Sequence, residues 1–147
     1  NELHNHHKIL YDKSLSYYVK KIVPNSRKNI LSSSLNKIIK SGEKIKLKDY
    51  KNSLRYVNKL RDKLDKNFFG VNFILLPTTA SSAPKIKNYH MEKKDSCLMW
   101  TLLGNPSISL PVFKDKKNNL PFGLLISSKR YNDFELFEIS KKILNLF

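Results

Sequence analysis

The spacing of apolar residues changes at Gly70, and any fold of this chain must accommodate that change. Upstream, Leu47, Tyr50, Leu54, Val57, Leu60, Leu64 and Phe68 recur at three- and four-residue steps. That period gives one apolar stripe opposite a lysine-rich face, so it predicts a helix that Gly70 ends. Downstream the apolar residues come in short runs bounded by proline, glycine or polar turns. Residues 72–76, 107–113 (SISLPVF) and 121–128 (PFGLLISS) each predict a strand. Proline cannot donate to a ladder, so Pro111 and Pro121 predict strand edges or irregularities.

Two further helices precede the stripe. Residues 3–22 stop before Pro24, which disfavours helix in the residue ahead of it. Residues 26–40 carry Ile30, Leu31, Leu35, Ile38 and Ile39, with Gly42 as the expected C-terminal stop. Residues 77–96 show no periodicity and contain two prolines, which predicts a long loop, and long loops usually serve a function or lack order. KDKKNNL (114–120) reads as a polar turn. A last helix is expected to open on a capping box, with Asn132 at the N-cap and Glu135 three residues on. The order is three helices, a strand, a long loop, two strands and a helix. This is an α/β or α+β pattern with few strands for a free-standing sheet. No repeat or linker divides it, so residues 1–147 are expected to form a single partial domain.

Composition narrows the function classes. The formal charge is +16, carried by 24 Lys and only 4 Arg. Specific phosphate and base contacts draw on arginine, and these lysines are spread from Lys8 to Lys142 rather than gathered on one face. No nucleic-acid partner is expected. No run approaches the roughly 18 apolar residues of a membrane helix, so no membrane partner is expected either. Cys97 is the only cysteine, which excludes an intramolecular disulfide and a cysteine-based zinc site and is compatible with a cytoplasmic setting. His4, His6 and His7 lie close together, but no acidic or cysteine partner completes a metal set, so exposed helix surface is expected there; His90 is alone in the loop. The first residues, NELHNHHKIL, have neither an initiator Met nor a signal core and predict a piece of a longer chain.

Three segments in order carry a resemblance. FILLPTTASSAP (73–84) is followed by WTLLGNPSISLPVF (100–113) and LPFGLLISSKRYND (120–133). Together they resemble the C-terminal third of the amidase signature family. There a buried strand ends in Pro-Thr, a small-residue loop closes on Ala-Pro, and a Gly-x-Pro-small-Ile-Ser-x-Pro segment follows. Here Gly104, Pro106, Ser107, Ile108, Ser109 and Pro111 match that last segment. Leu120, Pro121, Gly123, Leu124 and Asp133 match the family's final strand and acidic-capped helix, and residues 40–147 are covered in all. Asn72 stands where the family usually has Asp.

The resemblance implies the C-terminal portion of an amidase-type fold, a mixed sheet flanked by helices. It also implies an enzyme that hydrolyses carbon–nitrogen bonds of small carboxamides. Family members use a serine nucleophile, a second serine held in a cis peptide, and a lysine, with backbone N–H groups as oxyanion hole. Both serines come from a glycine- and serine-rich stretch upstream. This chain has only Gly42, Gly70, Gly104 and Gly123, none beside a serine run, so no catalytic residue, metal or cofactor is expected in it and the chain alone is expected to be inactive. Residues 32–34 read as helix surface, while Ser127 and Ser128 match no catalytic position. The substrate-pocket candidates are Thr78, Thr79, Trp100 and Thr101. Ser81 and Ser82 border the same loop, since α/β folds bind ligands beyond the carboxyl ends of strands. Two alternatives stay open: loop hydroxyls that bond only their own backbone, and Trp100 as a large core residue. A homodimer is compatible with the resemblance. The glutamyl-tRNA amidotransferase A subunit belongs to the same family, but Asp95, Cys97 and Thr101 match its expected Asp-x-x-Thr pattern poorly. A basic nucleic-acid-binding domain or a non-catalytic interaction domain is the remaining alternative.

Overall fold

A computed structural model describes residues 2–68, 70–80, 82–83 and 97–147, with the side chains of Asn25 and Lys28 excepted. Ser81, Pro84, His90 and Asp95, and with them the Ala-Pro closure and most of the expected long loop, lie outside the described residues. The elements run α1 (Glu2–Ile22), a 3-10 turn (Asn25–Ile30), α2 (Ser33–Lys44), α3 (Leu47–Asn67), β1 (Phe73–Pro77), α4 (Cys97–Leu103), β2 (Ser107–Lys114), β3 (Pro121–Ser128) and α5 (Asp133–Leu144). They fall into two compact units, Asn1–Leu60 and Arg61–Phe147.

In the first unit small and polar residues let the helices approach. Gly42 does not end a helix: it sits inside α2, buried, and a Cβ there would collide with the Asp12 carbonyl and the Ser16 side chain of α1. The expected helix at 26–40 is thus displaced, because Ser32 caps α2 by accepting from the Leu35 N–H (3.2 Å) and so starts the helix later. Asp12 is 2% exposed and accepts from Lys8 Nζ (2.8 Å) and Ser41 Oγ (2.6 Å), so its buried charge is compensated. The histidines divide. His4 is exposed, whereas His6 is half-buried, bonded through Nδ1 to the buried Ser53 hydroxyl (3.0 Å) and stacked on Tyr56 at 4.0 Å. The α3 stripe is also less uniform than its period: Val57 is buried, but Leu47 and Leu54 remain exposed.

The second unit is a three-stranded antiparallel sheet in the order β1-β3-β2. Alternation along β3 sends successive residues to opposite faces. Leu125 packs with Phe68 and Trp100, and Leu64, Ile74, Leu76, Cys97 and Met99 close around them. Ile126 packs with Leu110 and Leu136 on the other face, joined by Phe73, Leu124, Ile139 and Ile143. The sheet therefore has the end of α3 and α4 on one side and α5 on the other. Pro111 falls in a register shift between Leu110 and Phe113, the irregularity expected of it.

In the second unit two further details differ from the sequence reading. A seven-residue helix, α4, occupies Cys97–Leu103, a stretch too short for its period to be visible. Asn132 is the N-cap of α5, but its side chain makes no capping bond. Its carbonyl accepts instead from the Leu136 N–H (3.1 Å) and the Ser128 hydroxyl (3.3 Å). Asp133 and Glu135 remain in the first turn, where the helix dipole favours acids.

Candidate functional site

The strand β1 ends at Pro77, and the chain continues across the end of the sheet rather than turning away. The Thr78 N–H donates to the Gly123 carbonyl of β3 (2.8 Å), prolonging the ladder by one residue. Its hydroxyl meets the Ser109 hydroxyl of β2 at 2.6 Å. Both side chains lie over Gly123, and a Cβ at that position would run into the two of them. Gly123 thus allows residues from β1 and β2 to meet across β3.

Beyond Thr78 the loop is tied to the turn between β2 and β3. Asp115 organises that turn: one carboxylate oxygen accepts from the Lys117 N–H (2.9 Å), the Asx pattern that suits aspartate to turns. Its other oxygen accepts from the Ser82 hydroxyl at 2.6 Å, and Asn118 Nδ2 donates to the same Ser82 oxygen at 2.9 Å. Ser82 is 6% exposed. The Ser82 and Lys117 hydrogen bonds hold the Asp115 carboxyl below its ordinary range, since both stabilise the ionised form. Asn119 adopts a left-handed conformation (φ 56°), which asparagine tolerates, and closes the turn with an N–H bond to the Asp115 carbonyl (2.8 Å).

Between the loop and this turn lies an open cleft of about 570 Å³, lined by Pro77, Thr79, Ala80, Ser82, Phe122 and residues 114–117. Of the four pocket candidates, Thr79 lines the cleft, whereas Thr78, whose hydroxyl is paired with Ser109, is not among the described lining residues. Trp100 does not line it: it is 1% exposed in the core with Phe68 and Leu125. Its indole Nε1 has no hydrogen-bond partner among the described residues. Thr101, one residue on, is exposed on α4 and also stands apart from the lining. Sequence reasoning missed Asp115, Ser109 and Gly123 as parts of this arrangement. Only the segment KDKKNNL signalled the turn, and nothing local says that its aspartate reaches a serine 33 positions earlier.

The other serine pair is spent on structure. Ser127 Oγ donates to the Pro106 carbonyl (3.0 Å), the Ser128 carbonyl accepts from Asn105 Nδ2 (2.8 Å), and both serines are fully buried. They pin the turn that leads from α4 into β2. No group of three or more His, Cys, Asp or Glu side chains gathers to hold a metal among the described residues. No described helix is long and apolar enough to cross a membrane.

Comparison with known proteins places the family and the fold. Residues 3–137 match the family model described as Amidase. No curated protein matches the chain in sequence. Among solved structures, a crystal structure of an amidase is similar over 93% of this chain and 33% of its own, at 22% identity and TM-score 0.79. A 6-aminohexanoate cyclic dimer hydrolase complexed with substrate is similar over 92% and 33%, at 14% identity and TM-score 0.73. A bacterial aryl acylamidase of the amidase signature enzyme family is similar over 88% and 29%, at 18% identity and TM-score 0.61. At such identities the likeness concerns the fold, and the chain spans about a third of the length of these structures.

Proposed function

The chain belongs to the amidase family, and on that ground we propose that it is the C-terminal portion of an enzyme hydrolysing small carboxamides. Its part is to build one wall of the substrate site. The observation that carries this reading is the Pro-Thr exit of β1, which lays Pro77 and Thr79 along an open cleft inside a segment that matches the family model. In this reading Thr79 meets the substrate and Thr78, paired with Ser109, fixes the wall. Trp100 supports β1 from within the cluster that includes Ile74 and Leu76. Thr101 is a substrate contact only if a further segment extends the site to the exposed side of α4.

The serine nucleophile, its cis-serine partner and the lysine belong, in this reading, to polypeptide upstream. The similar solved structures, about three times longer than this chain, support that division. Intact-mass measurement of the native gene product tests it. A mass near three times 17.2 kDa, with a lysine and a serine pair in the additional sequence, is expected. A native mass of 17.2 kDa, or amide turnover by the purified 147-residue chain, would sink it.

A further inference from the structure

The cleft beside the Pro-Thr loop is not chemically uniform. Pro77, Ala80 and Phe122 give it an apolar wall, while Lys114, Lys116 and Lys117 bring three cations to its rim. Among the described residues Asp115 is the only acid in the lining, and both its oxygens are engaged, one by Ser82 and the other by the Lys117 N–H. Lys117 is attracted to that carboxylate. Lys114 and Lys116 have no carboxylate partner among the described residues. Among the described residues the cleft thus carries positive charge without a carboxylate partner next to apolar surface. Its volume of about 570 Å³ lies in the range of small-molecule sites, roughly 300–1,000 Å³.

We propose that this cleft binds small amphipathic carboxylates, with an aryl or short alkyl body against Pro77, Ala80 and Phe122 and the carboxylate between Lys114 and Lys116. A cation is disfavoured by the three lysines, and the acid among the described lining residues, Asp115, is already bonded. A bare inorganic anion would leave the apolar wall wet, and burial of that wall supplies the remaining driving force. Lysine is a flexible point charge, suited to a carboxylate approached from solvent rather than to one gripped in a fixed fork. Resting on the amidase reading, the site then selects amides whose non-reacting end bears a carboxylate.

The test is a titration of the ¹⁵N-labelled 147-residue chain at low ionic strength with phenylacetate, phenylacetamide and inorganic phosphate. Phenylacetate should shift the Ala80 and Phe122 amide signals saturably. The neutral amide should bind more weakly by about fivefold, the scale of one exposed charge contact. The double variant Lys114→Gln/Lys116→Gln should bring phenylacetate to the affinity of the amide without altering the rest of the spectrum, because both lysines are exposed. Equal affinity for acid and amide, a phosphate response as strong as that to phenylacetate, an unchanged affinity in the double variant, or no saturable shift would each overturn the proposal. None of those results touches the amidase reading, which the intact mass decides separately. Conversely, carboxylate binding by a native protein of 17.2 kDa would keep the site and remove its substrate role.

Discussion

Gly42 and Asp115 show how much a single residue can depend on a distant partner. Helix propensity alone favours alanine over glycine inside α2 by about 1 kcal/mol. The obstacle at Gly42, however, is the backbone carbonyl of Asp12, which cannot swing aside as a side chain would. We expect Gly42→Ala to lose about 1–3 kcal/mol despite the better propensity, as overpacked sites do, and urea unfolding at constant m-value would measure it. Asp115 gives a pH signature. Its folded-state carboxyl titrates below the ordinary value, so the stability it contributes is complete above the unfolded-state value near pH 4 and is lost as pH falls through the lower folded value. The stability difference between wild type and Asp115→Asn should therefore be constant near neutrality and shrink only below about pH 4. A difference that changes between pH 5 and 8 would place the effect on another group.

At the level of elements, Gly123 of β3 is where the exit of β1 and β2 bring Thr78 and Ser109 together, one residue from Phe122 of the cleft. The Thr78–Ser109 bond is solvent-accessible, so Ser109→Ala should cost no more than about 1 kcal/mol. Gly123→Ala should cost more, because a Cβ meets both side chains at once and the displaced loop carries Thr79 with it. The reverse order, read from thermal unfolding of the two variants, would mean that the hydroxyl pair rather than the glycine holds the loop. Trp100 separates core from pocket. As a core residue, Trp100→Ala should cost about 3–5 kcal/mol. A loss below about 1 kcal/mol would instead suit a surface substitution and contradict its burial.

Across the whole molecule the charge of +16 invites a nucleic-acid reading that the distribution of lysines does not favour. Binding to duplex DNA is expected to be independent of sequence and to vanish near physiological salt, as diffuse phosphate attraction does. A filter-binding series across salt and sequence would show it, and retention of one preferred sequence at 150 mM salt would count against it. The two units also share out the work: Thr78, Ser109, Asp115 and the cleft all belong to Arg61–Phe147. Variants in the first unit such as Gly42→Ala should change stability while leaving phenylacetate-induced shifts at Ala80 and Phe122 in place.

From the sequence alone one could read the helix of residues 47–67, the three strands, the proline irregularity in β2 and the family resemblance. Each of these rests on local spacing or on a short ordered motif, and local spacing constrains backbone period directly. Tertiary structure decided what spacing cannot encode. It put Gly42 inside a helix against Asp12, buried Trp100 away from the cleft, and left the Asn132 side chain out of its capping role. It also brought Ser82 to Asp115 and Thr78 to Ser109, pairs that lie 33 and 31 positions apart. Such pairings follow from how β3 aligns its neighbours, and strand register is a property of the packed sheet rather than of any one segment.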